Sequence, residues 1–314
     1  MSSRQDFFAR SEEMMRFYRE GHYPEALAVT ERLADEFPAE APTTSFWRVC
    51  LLSVAGRTEA ALVSMRQAMD EGLWWSERQL RADSDLAGLQ GLPEFERMVA
   101  LCNERQAAAQ VDARPELFVF EPKPGPAGRI PLLIALHARG SSPERDVSNW
   151  LPVTQKGWLL AMPQSSQLGS PNSYVWDDAE KTEAEIAAHF SRLAVQYPLD
   201  ARRVILAGLS QGAARAIQLT LKQAIPARGF LAVVPGNVMM ENLETLAQSA
   251  ENKVRGYLVA GGKDSRYEVF KKAHALLNRN GVACEIEDHP EMGHEFPPDF
   301  DKSISRAMEF IFKE

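Results

Sequence analysis

Residues 117–314 alternate between two kinds of segment, and that alternation constrains the fold more than any other feature of the chain. Seven apolar runs recur: "LFVFEP" (117–122), "IPLLIALHA" (130–138), "GWLLAMP" (157–163), "RRVILAG" (202–208), "GFLAVVPG" (229–236), "VRGYLVAGG" (254–262) and "VACEIEDHP" (282–290). Most are continuously apolar, which suits strands covered on both faces. Amphipathic stretches separate the later runs: "AEKTEAEIAAHFSRLAVQY", "QGAARAIQLTLKQA", "LETLAQSAE", "RYEVFKKAHALLNRNG" and a final "SISRAMEFIFKE". Strands alternating with helices predict an α/β fold, a doubly wound and mostly parallel sheet. Right-handed crossovers then bring every strand C-terminus, and any site built there, to one edge.

The preceding segment has a different grammar. It has no lysine, the first in the chain being Lys123, and residues 1–110 carry 12 Arg against 18 Asp and Glu. The pattern there is helical only, and it repeats. "GHYPEALAVTERLADEFP" starts at Gly21 and "GRTEAALVSMRQAMDEG" at Gly56, an offset of 35 residues. Under that offset Ala26 falls on Ala61, Leu27 on Leu62 and Thr30 on Met65. Glycine at the turn and alanine at the helix crossing, at such a period, resembles the tetratricopeptide repeat over about residues 7–72. A third, atypical unit, "LWWSERQLRADSDLAGLQGLPEFERMVALCNER", closes the stack. "AAAQVDARPE" (107–116) is read as the linker, with Pro115 discouraging further helix. The expected organisation is an all-α repeat domain over 1–111 and an α/β domain over 112–314.

Bulk properties exclude several classes. A formal net charge of −8 argues against a nucleic-acid or anionic-membrane binder. Cys50, Cys102 and Cys284 are odd in number, with no metal-type spacing, which reads as small buried hydrophobes in a reducing compartment. The N-terminal stretch lacks the apolar core of a signal peptide, and no run is long enough to span a bilayer. The expectation is a soluble, cytoplasmic protein with no metal and no cofactor.

Chemistry enters at "GLSQGAAR", where Gly208, Ser210 and Gly212 follow the run "VILA" and precede an alanine-rich helix. G-x-S-x-G at a strand-to-helix turn can hold a serine in strained backbone angles above the sheet edge. The same spacing could be an ordinary helix start with Ser210 as N-cap. A serine nucleophile requires a base and an acid that orients the base. Downstream, "YLVAGGKDSRY" delivers Asp264 past one strand and "DHPEMGHEFPP" delivers His294 past the last. The order Ser, acid, His is that of α/β-hydrolases. His289 competes weakly with His294, while Asp288, Asp177 and Asp178 compete weakly with Asp264. His22, His189 and His274 sit in a repeat turn or within helices.

The strand "LIAL" ends in His137, Ala138, Arg139 and Gly140. With G-x-S-Q-G, an Asp after a glycine-containing strand end and a C-terminal Gly-His, this resembles the phospholipase/carboxylesterase group of α/β-hydrolases, acyl-protein thioesterases included. The resemblance covers about residues 116–314. It implies Ser210, Asp264 and His294 as catalytic triad, with the backbone N–H groups of Gln211 and Arg139 as oxyanion donors. Ala138 replaces the glycine usual in that loop, and His137 reads as a strut for it.

The implied function is a serine hydrolase of small-molecule or acyl esters and thioesters. A reading from another class is an interaction protein that binds a protein partner, or a second copy, through the repeats, with the hydrolase half as an inert platform. Three filled triad positions in the right order favour catalysis. A prolyl-oligopeptidase-type peptidase would need a β-propeller that the helical half cannot supply. The long connection over 164–185 carries Trp176, which reads equally as a wall of the acyl pocket or as an anchor for the loop. Trp47, Trp74, Trp75, Leu86, Leu89 and Phe95 load the helical half heavily, and part of that surface is expected to dock on the hydrolase half or on a second subunit.

Overall fold

The computed structural model describes residues 4–123, 128–250 and 253–313. The chain forms two compact units. The first holds Met1–Ala113 and a short excursion, Leu168–Ser173; the second holds Arg114–Gln167 and Tyr174–Glu314.

The first unit is built from α1 (Arg4–Arg19), α2 (Tyr23–Glu36), α3 (Ala41–Val54), α4 (Thr58–Asp70), α5 (Glu77–Ala82) and α6 (Pro93–Asp112). Gly21 and Gly56, 35 residues apart in sequence, both have left-handed φ, 76° and 70°. Each closes the preceding helix in the same way. Gly21 N–H donates to Tyr18 O and His22 N–H to Phe17 O; Gly56 N–H donates to Ser53 O and Arg57 N–H to Leu52 O. These bonds satisfy carbonyls that a helix end leaves open, and glycine reaches that backbone conformation at least cost. Ala26 and Ala61, one offset apart, are both fully buried. Proline lies in the first turn of α2, α3 and α6, where its missing N–H costs no helical bond. Phe7, Met14, Ala26, Val29, Leu33, Phe37 and Leu51 form one core.

One detail differs from the linear reading. The segment read as a linker begins inside α6, which runs to Asp112; Ala107–Ala109 are strong helix formers, and Pro115 restricts only the residue before it. Trp74 and Trp75 lie in the non-helical link between α4 and α5, so both can turn inward, leaving 5 % and 1 % exposed. The Trp75 indole N–H donates to Pro42 O at 2.9 Å.

The second unit carries β1 (Glu116–Phe120), β2 (Ile130–Leu136) and β3 (Leu159–Gln164); the chain then forms a small two-stranded sheet of β4 (Leu168–Ser170), which belongs to the first unit's excursion, and β5 (Ser173–Tyr174). It continues with β6 (Leu199–Leu209), β7 (Gly229–Val233), β8 (Arg255–Gly261) and β9 (Ala283–His289). The main sheet has seven strands in the order β1-β3-β2-β6-β7-β8-β9, with β1 antiparallel to β3 and every other pair parallel. Along β2, Leu132, Ile134 and Leu136 enter one core while Leu133 and Ala135 enter the other. This is the period-two consequence of a sheet covered on both faces.

The covering helices are α7 (Pro143–Trp150), α8 (Ala179–Gln196), α9 (Gln211–Leu221), α10 (Leu243–Ser249), α11 (Tyr267–Arg279) and α12 (Phe300–Ile311). Ile186 and Leu193 of α8 join the first core; Ile304, Ala307 and Ile311 of α12 join the second. The chain winds outward from β2 to β3 and then returns to β6 on β2's other side. The β2/β6 boundary is therefore the topological switch point, where the loops after the strands part and leave a crevice.

Candidate active site

Ser210 follows β6 at that switch point, with φ 55° and ψ −116°. A non-glycine residue rarely adopts this conformation, and here it is held from several sides. Ser210 N–H donates to Val233 O at 3.0 Å, and its own carbonyl accepts from Gly236 N–H at 2.9 Å and from Ala214 N–H at 3.0 Å. The flanking glycines answer to close approach. A Cβ on Gly208 would lie 2.5 Å from the Gly212 carbonyl carbon. A Cβ on Gly212 would lie 2.3 Å from Leu136 O and 2.5 Å from His137 O. Glycine therefore lets α9 start directly against the end of β2.

The other two candidate residues converge on this serine. His294 Nε2 lies 2.8 Å from Ser210 Oγ, and His294 Nδ1 lies 2.5 Å from Asp264 Oδ2. Asp264 follows β8 and His294 follows β9. Gly262 N–H to His289 O at 2.9 Å and Lys263 N–H to Met292 O at 3.0 Å tie their loops together. Phe296 packs edge-on to Trp150 with ring centres 5.7 Å apart and against Phe300 at 4.9 Å, which fixes the segment just beyond His294. The Asp264 side chain is 1 % exposed and that of His294 33 %. Burial alone would raise the Asp264 carboxyl. The bond and charge of His294, with Arg266 beside it, outweigh that and hold it at about 2. Arg266 supplies two donors, its N–H at 2.9 Å and Nε at 3.2 Å, both to Asp264 Oδ1. One carboxylate oxygen is thereby occupied and the other left to the imidazole.

His289 is engaged elsewhere. Its Nε2 lies 2.6 Å from Glu287 Oε1, in a cluster where Glu287 also accepts from Tyr257, Ser303 and Arg306. Asp178 caps α8, accepting from Lys181 N–H at 2.9 Å.

His137 is fully buried, and that burial pushes its imidazole down to about 4. In the neutral ring Nδ1–H donates to Ala138 O at 2.8 Å, and Nε2 accepts from Ser165 N–H at 3.3 Å. Trp176 is also fully buried; its ring stacks on His137 at 4.6 Å and its indole N–H donates to His137 O at 3.0 Å. These contacts tie the indole to the loop that follows β2. Arg139 sits on the turn after β2, and its backbone N–H makes no hydrogen bond to another described residue. Gln211 opens α9, where a first-turn N–H has no acceptor within the helix. Sequence reasoning missed the side-chain roles of Gln211 and Asp177. The Gln211 amide accepts from Trp176 N–H at 2.9 Å and donates to Asp177 Oδ1 at 2.7 Å. Their only signal was an acidic residue next to Trp176 in the long connection.

Cys50, Cys102 and Cys284 are all buried. Among the described residues no helix is long and apolar enough to cross a membrane.

A parallel sheet with a serine in a strained strand-to-helix turn, and acid and histidine on later strand ends, is the architecture of an α/β-hydrolase. Residues 172–312 match the family described as phospholipase/carboxylesterase, and residues 10–110 match the one described as A/B hydrolase-like, N-terminal domain. The second unit thus has the fold of an α/β-hydrolase and, over residues 172–312, is similar to the phospholipase/carboxylesterase family. The first carries the helical domain that accompanies A/B hydrolase-like proteins; the tetratricopeptide resemblance does not reappear in these matches. No curated protein matches the chain. Among solved structures, a protein from Bacillus cereus ATCC 10987, described as uncharacterized, is 25 % identical over 99 % of both chains with a TM-score of 0.55. Esterase PE8 is 18 % identical over 63 % of this chain and 100 % of its own, TM-score 0.53. Est1E from Butyrivibrio proteoclasticus, bound to ferulic acid, is 14 % identical over 63 % and 94 %, TM-score 0.51. The last two share the fold of the second unit.

Proposed function

We propose that the second unit is a serine hydrolase that cleaves carboxylic esters or thioesters through an acyl-enzyme on Ser210. The observation that carries this reading is the continuous chain of bonds from Ser210 Oγ to His294 Nε2 and from His294 Nδ1 to Asp264 Oδ2. A serine alcohol becomes a useful nucleophile when a base takes its proton as it attacks. His294 is that base. Asp264, ionised and buried, fixes the tautomer with the proton on Nδ1 and stabilises the imidazolium that forms.

Attack on the carbonyl carbon produces a tetrahedral oxyanion. The N–H groups of Gln211 and Arg139 are its donors, the first aided by the positive end of α9. One such donor is worth about 2.7–4 kcal/mol in the transition state. His294 then protonates the leaving alcohol or thiol. Water enters, gives its proton to His294 and releases the acid, regenerating Ser210.

A fluorophosphonate probe tests the assignment: it is expected to modify the peptide containing Ser210 in the intact chain and to leave the Ser210→Ala variant unlabelled. An unlabelled wild-type chain would leave the reading without its nucleophile. Nitrophenyl esters from acetate to palmitate, beside matched acyl-thioesters, define the acyl length and the leaving group.

A further inference from the structure

The two segments that carry the oxyanion donors are joined by one carboxylate. Arg139 sits in the loop after β2 and Gln211 opens α9, so they come from different strands. Asp177 reaches both. Its Oδ1 accepts from Gln211 Nε2 at 2.7 Å, and its carboxylate pairs with the Arg139 guanidinium through both Nη1 and Nη2, the second at 3.1 Å. The Asp177 side chain is 18 % exposed and that of Arg139 34 %, so the pair is partly shielded from water.

The backbone carrying Asp177 is itself clamped. Trp176 N–H donates to Gln211 Oε1 at 2.9 Å, so the Gln211 amide is engaged at both ends. Buried Arg215, one turn further along α9, donates from Nε to Trp176 O at 2.8 Å and from Nη2 to Asp177 O at 2.9 Å. The Trp176 indole N–H reaches back to His137 O, at the base of the Arg139 loop. Backbone and carboxylate together bridge the two donors.

We infer that Asp177 is a positioning residue that holds the Arg139 and Gln211 backbone donors in register for the developing oxyanion. Oxyanion stabilisation demands preorganised donors, and a loop N–H that drifts by a fraction of an ångström loses most of its effect. Asp177 touches no reacting atom. It acts through the two residues that do, so its removal affects the transition state more than substrate binding. This inference rests on the serine-hydrolase reading.

The experiment uses the full chain and a short nitrophenyl ester. Asp177→Ala is expected to lower kcat about 10- to 100-fold with KM within a factor of three. A trifluoromethyl ketone, which forms the tetrahedral adduct, should lose affinity by the same factor as kcat/KM. Asp177→Asn, which keeps the shape and one acceptor oxygen, should recover part of the loss. Arg139→Ala removes the side-chain bond while retaining the backbone N–H. It should lower kcat in the same direction, and the double variant with Asp177→Ala should be no worse than the more affected single one. Arg139→Ala lies on the surface and keeps the test open if Asp177→Ala does not fold. Variants whose kcat and inhibitor affinity match wild type would overturn the inference while labelling of Ser210 still upheld the nucleophile. A wild-type chain with neither labelling nor hydrolysis would overturn both.

Discussion

The two units bury polar groups for different ends. In the helical unit the buried Thr30 and Thr44 hydroxyls each return a hydrogen bond to the backbone one turn earlier. They complete a shape. In the hydrolase unit they gather where β2, β3 and β6 end: His137, Ser165, Ser166, Gln167, Gln211 and Arg215 are all buried there and bond across the chain. Desolvated polar groups are costly unless satisfied, and a satisfied network is rigid. One unit is thus organised around packing and the other around fixed dipoles. Substitutions should divide accordingly, with core changes in the first read by melting and network changes in the second read by turnover.

The sharpest division is at Ser210. Ser210→Ala is expected to lower kcat by at least about 10⁴-fold, with the melting temperature within a few degrees of wild type, because the side chain is small and half-buried. His294→Ala should fall comparably, and the double variant should be no worse, since the groups act as a unit. His289→Ala serves as the contrast. It removes a partner of Glu287, so it should cost stability and leave turnover near wild type. Esterase assays and thermal melts on the same four proteins read both arms. Retention of more than a few per cent of activity in Ser210→Ala would end the assignment.

The seven strands and the loops bearing Ser210, Asp264 and His294 were legible because each depends on local pattern: apolar runs, glycine spacing and chain order. What lies between them was not. The helix Pro143–Trp150 is short and polar, with too few apolar residues to set a helical period. The strand pair at 168–174 is only a few residues long and turns through Pro171 and Asn172, the latter at φ 54°. Asp177 was visible only as a weak rival to Asp264. Its partners Arg139 and Gln211 lie 38 and 34 residues away, and no periodicity announces a long-range side-chain bond. Trp176 was undecided because composition cannot say whether an indole faces a crevice or a histidine ring.

In the helical unit the largest effect should come from Trp75, which is 1 % exposed, packs on Phe46 with ring centres 5.7 Å apart and donates to Pro42 O. Trp75→Ala is expected to cost about 3–5 kcal/mol in denaturant unfolding of the full chain, from lost burial, a cavity and an unpaired carbonyl. Ser210 labelling per folded molecule should stay unchanged. Labelling that falls faster than the folded fraction would break the division between the units.

His137 sharpens it from the other side. Burial lowers its imidazole to about 4, so between the ordinary value of 6.5 and about 4 the unfolded chain binds a proton that the native ring refuses. Stability therefore falls as pH drops through that window and levels below it, by on the order of 3 kcal/mol from this one ring. His189, also lowered to about 4 by burial, acts in the same direction. Substituting His137→Gln should reduce the slope of unfolding free energy against pH between 4 and 6.5. Because the slope is a difference in bound protons, it can be read even if the variant is less stable throughout. An unchanged slope would mean that the native ring takes up the proton, and the neutral strut would be lost as an explanation.

The smallest effect probes the excursion by which chain from beyond residue 113 belongs to the helical unit. The excursion Leu168–Ser173 is bound by polar contacts from that unit: Ser76 N–H donates to Gly169 O at 2.8 Å, Gln106 Nε2 to Leu168 O at 2.8 Å, and Gln110 Oε1 accepts from Leu168 N–H at 3.1 Å. Two of the three partners are glutamine side chains on α6, four residues apart and so on one face of the helix. Each bond contributes about 0.5–1.5 kcal/mol, and replacing a glutamine with alanine leaves a backbone group of Leu168 to find water. Gln106→Ala and Gln110→Ala should each cost about 1 kcal/mol, and the pair about the sum unless the excursion detaches as a whole. Amide hydrogen exchange distinguishes those outcomes: protection at Leu168 should drop in Gln110→Ala and stay in Gln106→Ala, whose bond uses the Leu168 carbonyl. Equal loss in both would show that the excursion opens as one piece, and its attachment to the helical unit would then be cooperative rather than a set of separable bonds.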